Sequence, residues 1–273
     1  MNEFMTDTAH GYVPLQPEIE WHTADYKEYK AHGDARHIPA LFYQFRSKSV
    51  GSPDFVAIPD GHVDMLFSCD ASQPDIQVYG SVLSRHTITL KRNTVYFGVR
   101  FLSLHVTGRS KIDMKDLISQ SCPLSDFILM TNKSVEPILT AATFSEKTRL
   151  FKEILGEVLT IQQDSRLVRF ALNQMIMAKG NMSVKDLATE TAYSERYLRK
   201  QFEHFVGLSP KVFSQITRFQ HALNGLIENP QSTAIWDSIS ENAFYYDQPH
   251  FINEFKKFYQ ETPHAWMKRC LQG

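Results

Sequence analysis

Between residues 25 and 110 the apolar residues come in short runs separated by turn residues. The runs 40–46, 55–59, 62–68, 76–80, 86–90 and 94–101 each have strand length and strand composition. Gly51-Ser52-Pro53, Pro59-Asp60-Gly61 and Gln73-Pro74-Asp75 break them apart. Six strands with no helix between them predict an antiparallel sandwich or small barrel of cupin-like type. Past residue 110 the period lengthens. The stretches 112–118, 123–130 and 134–142 read as short helices, with Pro123 at a first helical position. A helix over 145–161, capped by Ser145, spaces Leu150, Ile154, Val158 and Ile161 along one face. Another runs from Ser165 to Ala178, with Gly180 as its left-handed stop. From there to the end the pattern is helical. The fold class is therefore α+β in two domains. The divisions are a loose start at 1–24, a β-rich domain at 25–140, a connecting helix at 141–164 and an all-α domain at 165–273.

The α domain repeats itself. Ser194, Leu198, Phe202 and Pro210 recur 53 positions later as Asp247, Phe251, Phe255 and Pro263. Each copy reads as a helix, a tight turn and a second helix. Ser194 and Asp247 are in capping position for the second helices. Leu198 and Phe202, and likewise Phe251, Phe255 and Phe258, share a face at helical spacing, which assigns that face to the core. Glu195, Arg196, Arg199 and Lys200 fall on the other side of the first such helix. His250, Asn253, Lys256 and Lys257 lie outside or at the margin in the second, with Ile252.

Outward Arg, Lys and Asn on a short, supported helix suit a DNA major groove. Arginine can donate two hydrogen bonds to guanine, and lysine neutralises phosphate. Pro210 to about Ile227 forms a connector of roughly 27 Å at 1.5 Å per residue. That length is comparable with the ~34 Å major-groove repeat. Charge adds little to this picture. The chain of 273 residues carries a net −1, with 13 basic and 10 acidic residues in 165–273. The alternative for these helices is a bundle whose units pack on each other and leave the charges solvated.

The repeated segment resembles the double helix-turn-helix domain of AraC-type (AraC/XylS) transcription regulators over about residues 165–270. The motifs are Leu187-Ala188, Ser194, Arg196-Tyr197-Leu198, Phe202 and Gly207-Leu208-Ser209-Pro210. The second copy carries Tyr246-Asp247-Gln248-Pro249-His250-Phe251, Phe255-Lys256 and Thr262-Pro263. The resemblance implies base reading by Arg196, Arg199 and Lys200, and by His250, Ile252 and Asn253. It implies phosphate contacts from Ser194, Gln248, Lys256 and Lys257. Ala192 and Phe244 stand where the family has turn glycines, Asn253 where a basic residue is common, and Gln260 for a further glycine. These departures favour the first unit as the stronger contact. Ile58-Pro59-Asp60-Gly61-His62-Val63-Asp64, Leu66-Phe67 and Tyr96 to Phe101 resemble the β domain of one poorly characterised AraC-type subgroup. Domains of this kind sense a small molecule or dimerise.

Asp60, His62 and Asp64 alternate and could present a cupin-type metal face, but a turn running into a strand with solvated polar residues explains them better, because the nearby His86 and His105 lack ligand spacing. Phe42, Tyr43, Phe45, Phe67, Tyr79, Tyr96 and Phe97 fit either a core or the lining of an apolar ligand pocket. Cys69, Cys122 and Cys270 have no metal-ligand spacing and read as reduced thiols. No run of ~18 apolar residues marks a membrane span. The helices at 145–161 and 165–178 serve either as a dimer face or as cover for their own domains.

The expectation is a cytoplasmic, non-enzymatic regulator, more an activator than a repressor, with no cofactor and no metal. Its expected partners are double-stranded DNA, a small-molecule effector, a second copy of itself and RNA polymerase. The alternative is a cupin-like β-domain enzyme with a helical appendage.

Overall fold

The computed structural model describes residues 14–32, 39–70, 72–102, 110–128, 134–156, 166–228 and 245–270. An antiparallel β domain is followed by helices. All six expected strands form: β2 (Ala40–Arg46), β3 (Phe55–Ala57), β4 (Val63–Ser68), β5 (Asp75–Tyr79), β6 (His86–Ile88) and β7 (Val95–Phe101). Two more were not anticipated, β1 (Ala24–Ala31) and β8 (Ser121–Pro123). Six strands make one sheet in the order β1-β2-β7-β4-β5-β8, and β3 pairs with β6 as a separate ribbon. β1 was missed because it is an edge strand, polar and exposed along most of its length.

Strand alternation sends side chains to two cores. Phe42, Met65, Phe67, Phe97 and Val99 face one side, where Phe151, Ile154 and Leu155 of helix α4 (Phe144–Leu155) cover them. Leu41, Tyr43, Phe45, Leu66 and Tyr96 face the β3–β6 ribbon. The expected aromatic set is thus split between the two faces of one sheet. Helix α4 starts earlier than expected, because Thr143 rather than Ser145 accepts the cap bond from the Glu146 amide, at 3.2 Å. Its apolar face is spent on the sheet. Pro123 ends β8 and caps the single turn α2 (Leu124–Phe127), and Glu136–Thr140 forms α3. Residues 112–118 yield only a 3₁₀ turn at Met114–Leu117.

The helical domain contains α5 (Arg166–Met177), α6 (Val184–Thr191), α7 (Glu195–Val206), α8 (Pro210–Glu228), α9 (Gln248–Tyr259) and α10 (Pro263–Cys270). Ser183 caps α6 in a reciprocal box with Asp186. Ala192 ends α6 at φ +57°, a left-handed conformation that costs an L-residue roughly 1–2 kcal/mol. Gln260 ends α9 in the same region, at φ +62°. Ser165, Phe244, and Val158 and Ile161 of the helix expected over 145–161 lie outside the described residues, as does the region 229–244 that precedes α9.

The two domains share a buried seam. Residues 17–22, expected to be loose, form helix α1 (Pro17–His22), started by Pro17 and anchored by Ile19. Its Glu18, 2% exposed, accepts from Tyr259 Oη at 2.5 Å and from Arg269 Nη2 at 2.7 Å. The rings of Trp21 and Trp266 lie 5.9 Å apart. Gly61 sits at φ +76°, and a Cβ there would lie 2.7 Å from the ring of Phe213 on α8. Ile58, just after β3, is buried in the helical core.

Burial opposes the charge on Glu18, but Arg269 and Tyr259 outweigh it and lower its pKa. A depressed carboxylate stabilises fully above its ordinary value of about 4.5 and loses that contribution as pH falls through the folded value. Glu18→Gln should therefore cost about 2 kcal/mol at pH 7, with the deficit shrinking below about pH 5. Urea midpoints of both chains between pH 3 and 7 measure this. A deficit unchanged across that range would remove Glu18 as the charged clasp.

Candidate nucleic-acid interface

Helix α7 is held from behind. Leu198 and Phe202 are fully buried, and Phe202 meets Phe213 of α8 edge-on at 5.6 Å. The Ser194 hydroxyl accepts from the Tyr197 amide at 3.2 Å, which fixes the first turn. That leaves the Ser194 hydroxyl proton available to donate to a phosphate. Arg196, Arg199 and Lys200 are all exposed on the outer face. Arg199 is steered by an ion pair with Glu195 at 2.6 Å, whereas Arg196 and Lys200 make no ion pair among the described residues. An exposed pair of this kind is worth only about 0.3–0.5 kcal/mol, so DNA can displace it. Tyr193 and Tyr197 stack at 5.1 Å beside these cations, both substantially exposed.

Helix α9 follows the same plan. Asp247 accepts from the His250 amide at 2.7 Å, and Phe251, Phe255 and Phe258 are buried. Gln248, His250, Asn253 and Lys256 are exposed, while Ile252 is half-buried against the helical core. Lys257 is exposed, but its ammonium donates to Gln215 of α8 at 3.1 Å. Lys256 is thus the freer of the two lysines. Tyr246, one residue before the cap, is 92% exposed, matching Tyr193 one residue before Ser194 in the first unit.

The two units are fixed to one connector. Helix α8 has 19 residues, about 28 Å, and buries Phe213, Ile216, Phe219, Ala222, Leu223 and Leu226. Arg218 grips Glu254 of α9 in a two-point pair at 3.0 and 2.9 Å, and its Nη1 reaches the Gly180 carbonyl at 3.4 Å. Burial disfavours the guanidinium charge, but Glu254 more than compensates and raises its pKa. One side chain therefore joins the turn before α6, the connector and α9. Sequence reasoning missed both partners. The visible signal was a charged residue, Arg218, set among the apolar positions of α8.

Asp60, His62 and Asp64 do come together, around a cation rather than an open metal face. Arg100 Nε lies 3.0 Å from Asp64 and 3.3 Å from Asp60. Asp64 and Arg100 are direct cross-strand partners. Tyr43 lies over the Cα of Gly98, where a Cβ would be 2.1 Å from its ring, and donates its hydroxyl to Asp64 at 2.8 Å. The carboxylates expected of a cupin-type metal site are therefore committed to Arg100. Burial lowers the pKa of His62 and raises the thiols of Cys69 and Cys122 away from the reactive thiolate.

With this geometry in hand, residues 187–269 match the family described as a helix-turn-helix domain, which makes the C-terminal region an AraC-type DNA-binding domain. No curated protein matches the chain. Among solved structures, ToxT from Vibrio cholerae is similar at 10% identity, covering 84% of this chain and 98% of that one with a TM-score of 0.45. A ToxT structure described as bound to an unsaturated fatty acid is similar at 12% identity, covering 84% and 94%, with a TM-score of 0.40. These likenesses concern the chain trace alone. No helix among the described residues is long and apolar enough to cross a membrane.

Replacing Glu254 by Ala would strand the Arg218 charge in a mostly buried position. The expected loss is about 3 kcal/mol of stability, read from urea unfolding. Arg218→Met with Glu254→Leu together should recover most of it. A loss below about 0.5 kcal/mol for Glu254→Ala would show that the pair contributes no more than a surface one.

Proposed function

We propose that the chain is a sequence-specific transcription regulator that reads two adjacent major grooves with α7 and α9. The carrying observation is the duplicated, capped helix with its polar side outward, set twice on one buried connector. Arg196, Arg199 and Lys200 are the principal base readers in this account. His250 and Asn253 read in the second groove, with Ile252 offering only its exposed edge. Ser194, Gln248 and Lys256 hold phosphates. Lys257 joins them after releasing Gln215. Tyr193 and Tyr246 occupy equivalent places at the mouths of the two units and extend the contact on the backbone side.

An activator role, a contact with RNA polymerase and a homodimer all fit this reading. The β domain serves it as the sensing part, because its Ile58–Gly61 segment forms the seam with α8. An enzymatic β domain is less well supported, since Asp60 and Asp64 are engaged with Arg100.

The test compares binding to a selected duplex and to single-base variants of it. Arg196→Ala or Arg199→Ala should each cost about 1–3 kcal/mol and relax preference at one base pair. Lys256→Ala should weaken all sequences alike and reduce the salt slope by about one. An equal loss on every sequence for the arginine variants would remove them as base readers.

A further inference from the structure

The sheet face under the β3–β6 ribbon is not completely filled. A cavity of about 310 Å³ lies there, at the lower end of small-molecule pockets. Phe55, Leu66, Tyr79 and Ile88 give it apolar walls. Arg100, Asp60 and Asp64 lie at its polar end. Arg100 is only 5% exposed, yet it hydrogen-bonds through Nε alone. Its two terminal nitrogens make no hydrogen bond among the described residues. A guanidinium carries five N–H donors, four of them on those nitrogens. Arg100 lines the cavity, so an acceptor entering it can take these donors.

The charge balance selects the kind of acceptor. With both aspartates ionised, the polar end carries a net −1. With Asp64 protonated it is neutral. With the two lining histidines, His62 and His86, neutral, neither state leaves positive charge in excess to neutralise a ligand anion. A ligand ammonium would instead face the four guanidinium N–H groups. A carbonyl, amide or hydroxyl satisfies those donors without adding charge.

We propose that this cavity binds a neutral, largely apolar small molecule that presents a carbonyl or hydroxyl oxygen to the terminal nitrogens of Arg100. The cavity also borders the domain seam. Gln16, which lines it, donates to the Ile58 carbonyl at 2.7 Å and to Asp60 at 3.0 Å, and accepts from the Ile58 amide at 3.0 Å. Its neighbour Leu15 donates to Gln220 on α8 at 2.7 Å. A ligand that reorients Asp60 or Arg100 therefore acts on the connector α8 through two adjacent residues, Gln16 and Leu15. This last consequence rests on the regulator reading; the binding itself does not.

The probe is a matched set on one ring: benzamide, benzyl alcohol, benzoate and benzylammonium, each titrated into the full chain by ligand-observed NMR. Benzamide and benzyl alcohol should saturate at least ten-fold more tightly than the two charged members. Arg100→Met should remove that preference. Because that change strands two aspartates, Ala57→Phe serves as the second variant. It fills the cavity from the ribbon side without touching the charges, and it should abolish binding. Tightest binding by benzoate or by benzylammonium, unchanged binding to Ala57→Phe, or no binding by any of the four would each overturn the proposal. Affinity for a selected duplex is measured in parallel without probe. A chain that binds benzamide but no DNA keeps the cavity assignment and loses the regulator reading, and the reverse result separates them the other way.

Discussion

Gln220 stands at the middle of the longest helix with 2% exposure, and every hydrogen-bonding atom of its amide is used across the seam. Its oxygen accepts from the Leu15 amide at 2.7 Å, and its nitrogen donates to the carbonyls of Pro59 at 2.7 Å and Leu15 at 3.3 Å. A buried amide left unpaired is penalised by about 1–3 kcal/mol, so this arrangement forms only if α8 and the β domain meet in one register. The rest of the architecture depends on that register. It brings Phe213 over Gly61, seats Ile58 in the helical core and sets Glu18 between Tyr259 and Arg269. The connector is consequently fixed by the β domain on one side and carries the two candidate reading helices on others.

A rigid connector changes what DNA binding requires. If α7 and α9 moved independently, each duplex would have to select their separation and angle, at an entropic cost in every complex. Here Phe202 on Phe213 fixes α7 to α8, and the Arg218–Glu254 pair fixes α9 to it. The end of α9 is held again by the β domain, where the Arg85 amide donates to the Phe258 carbonyl at 2.7 Å. Spacing then becomes a property of the protein. The same seam lies against the cavity beneath the β3–β6 ribbon, so the β domain and the helical domain share one wall.

Much of this was legible in the residues, for physical reasons that differ from element to element. β2, β4 and β7 announced themselves because both faces of the central sheet are buried there, which fills them with apolar side chains, and β3, β5 and β6 showed as short apolar runs between turn residues. β1 did not, because an edge strand made of Asp, Lys, Glu and Tyr has the composition of a loop. The capped helices α6, α7 and α9 were visible because Ser183, Ser194 and Asp247 act locally, within one turn of the residues they serve. Helix α1 was not, since its stability comes from Arg269, 251 positions away. The outward placement of Arg196, Arg199, Lys200 and Asn253 followed from helical spacing. The engagement of Lys257 with Gln215, and of Asp60 and Asp64 with Arg100, depends on tertiary neighbours that spacing does not encode. The motif Ile58 to Asp64 was noticed in the sequence, but its role as seam and cavity wall emerged only from the packing.

The most direct test of a fixed two-groove reader is selection of the purified full chain on a randomised duplex pool at two salt concentrations, followed by sequencing. The account predicts two short base blocks whose centres lie about one helical turn apart, roughly 10–10.5 base pairs. Their spacing should be invariant, and enrichment should be stronger at the lower salt. A single block, or two blocks at variable spacing, would contradict it, because independent or solitary reading helices would then suffice.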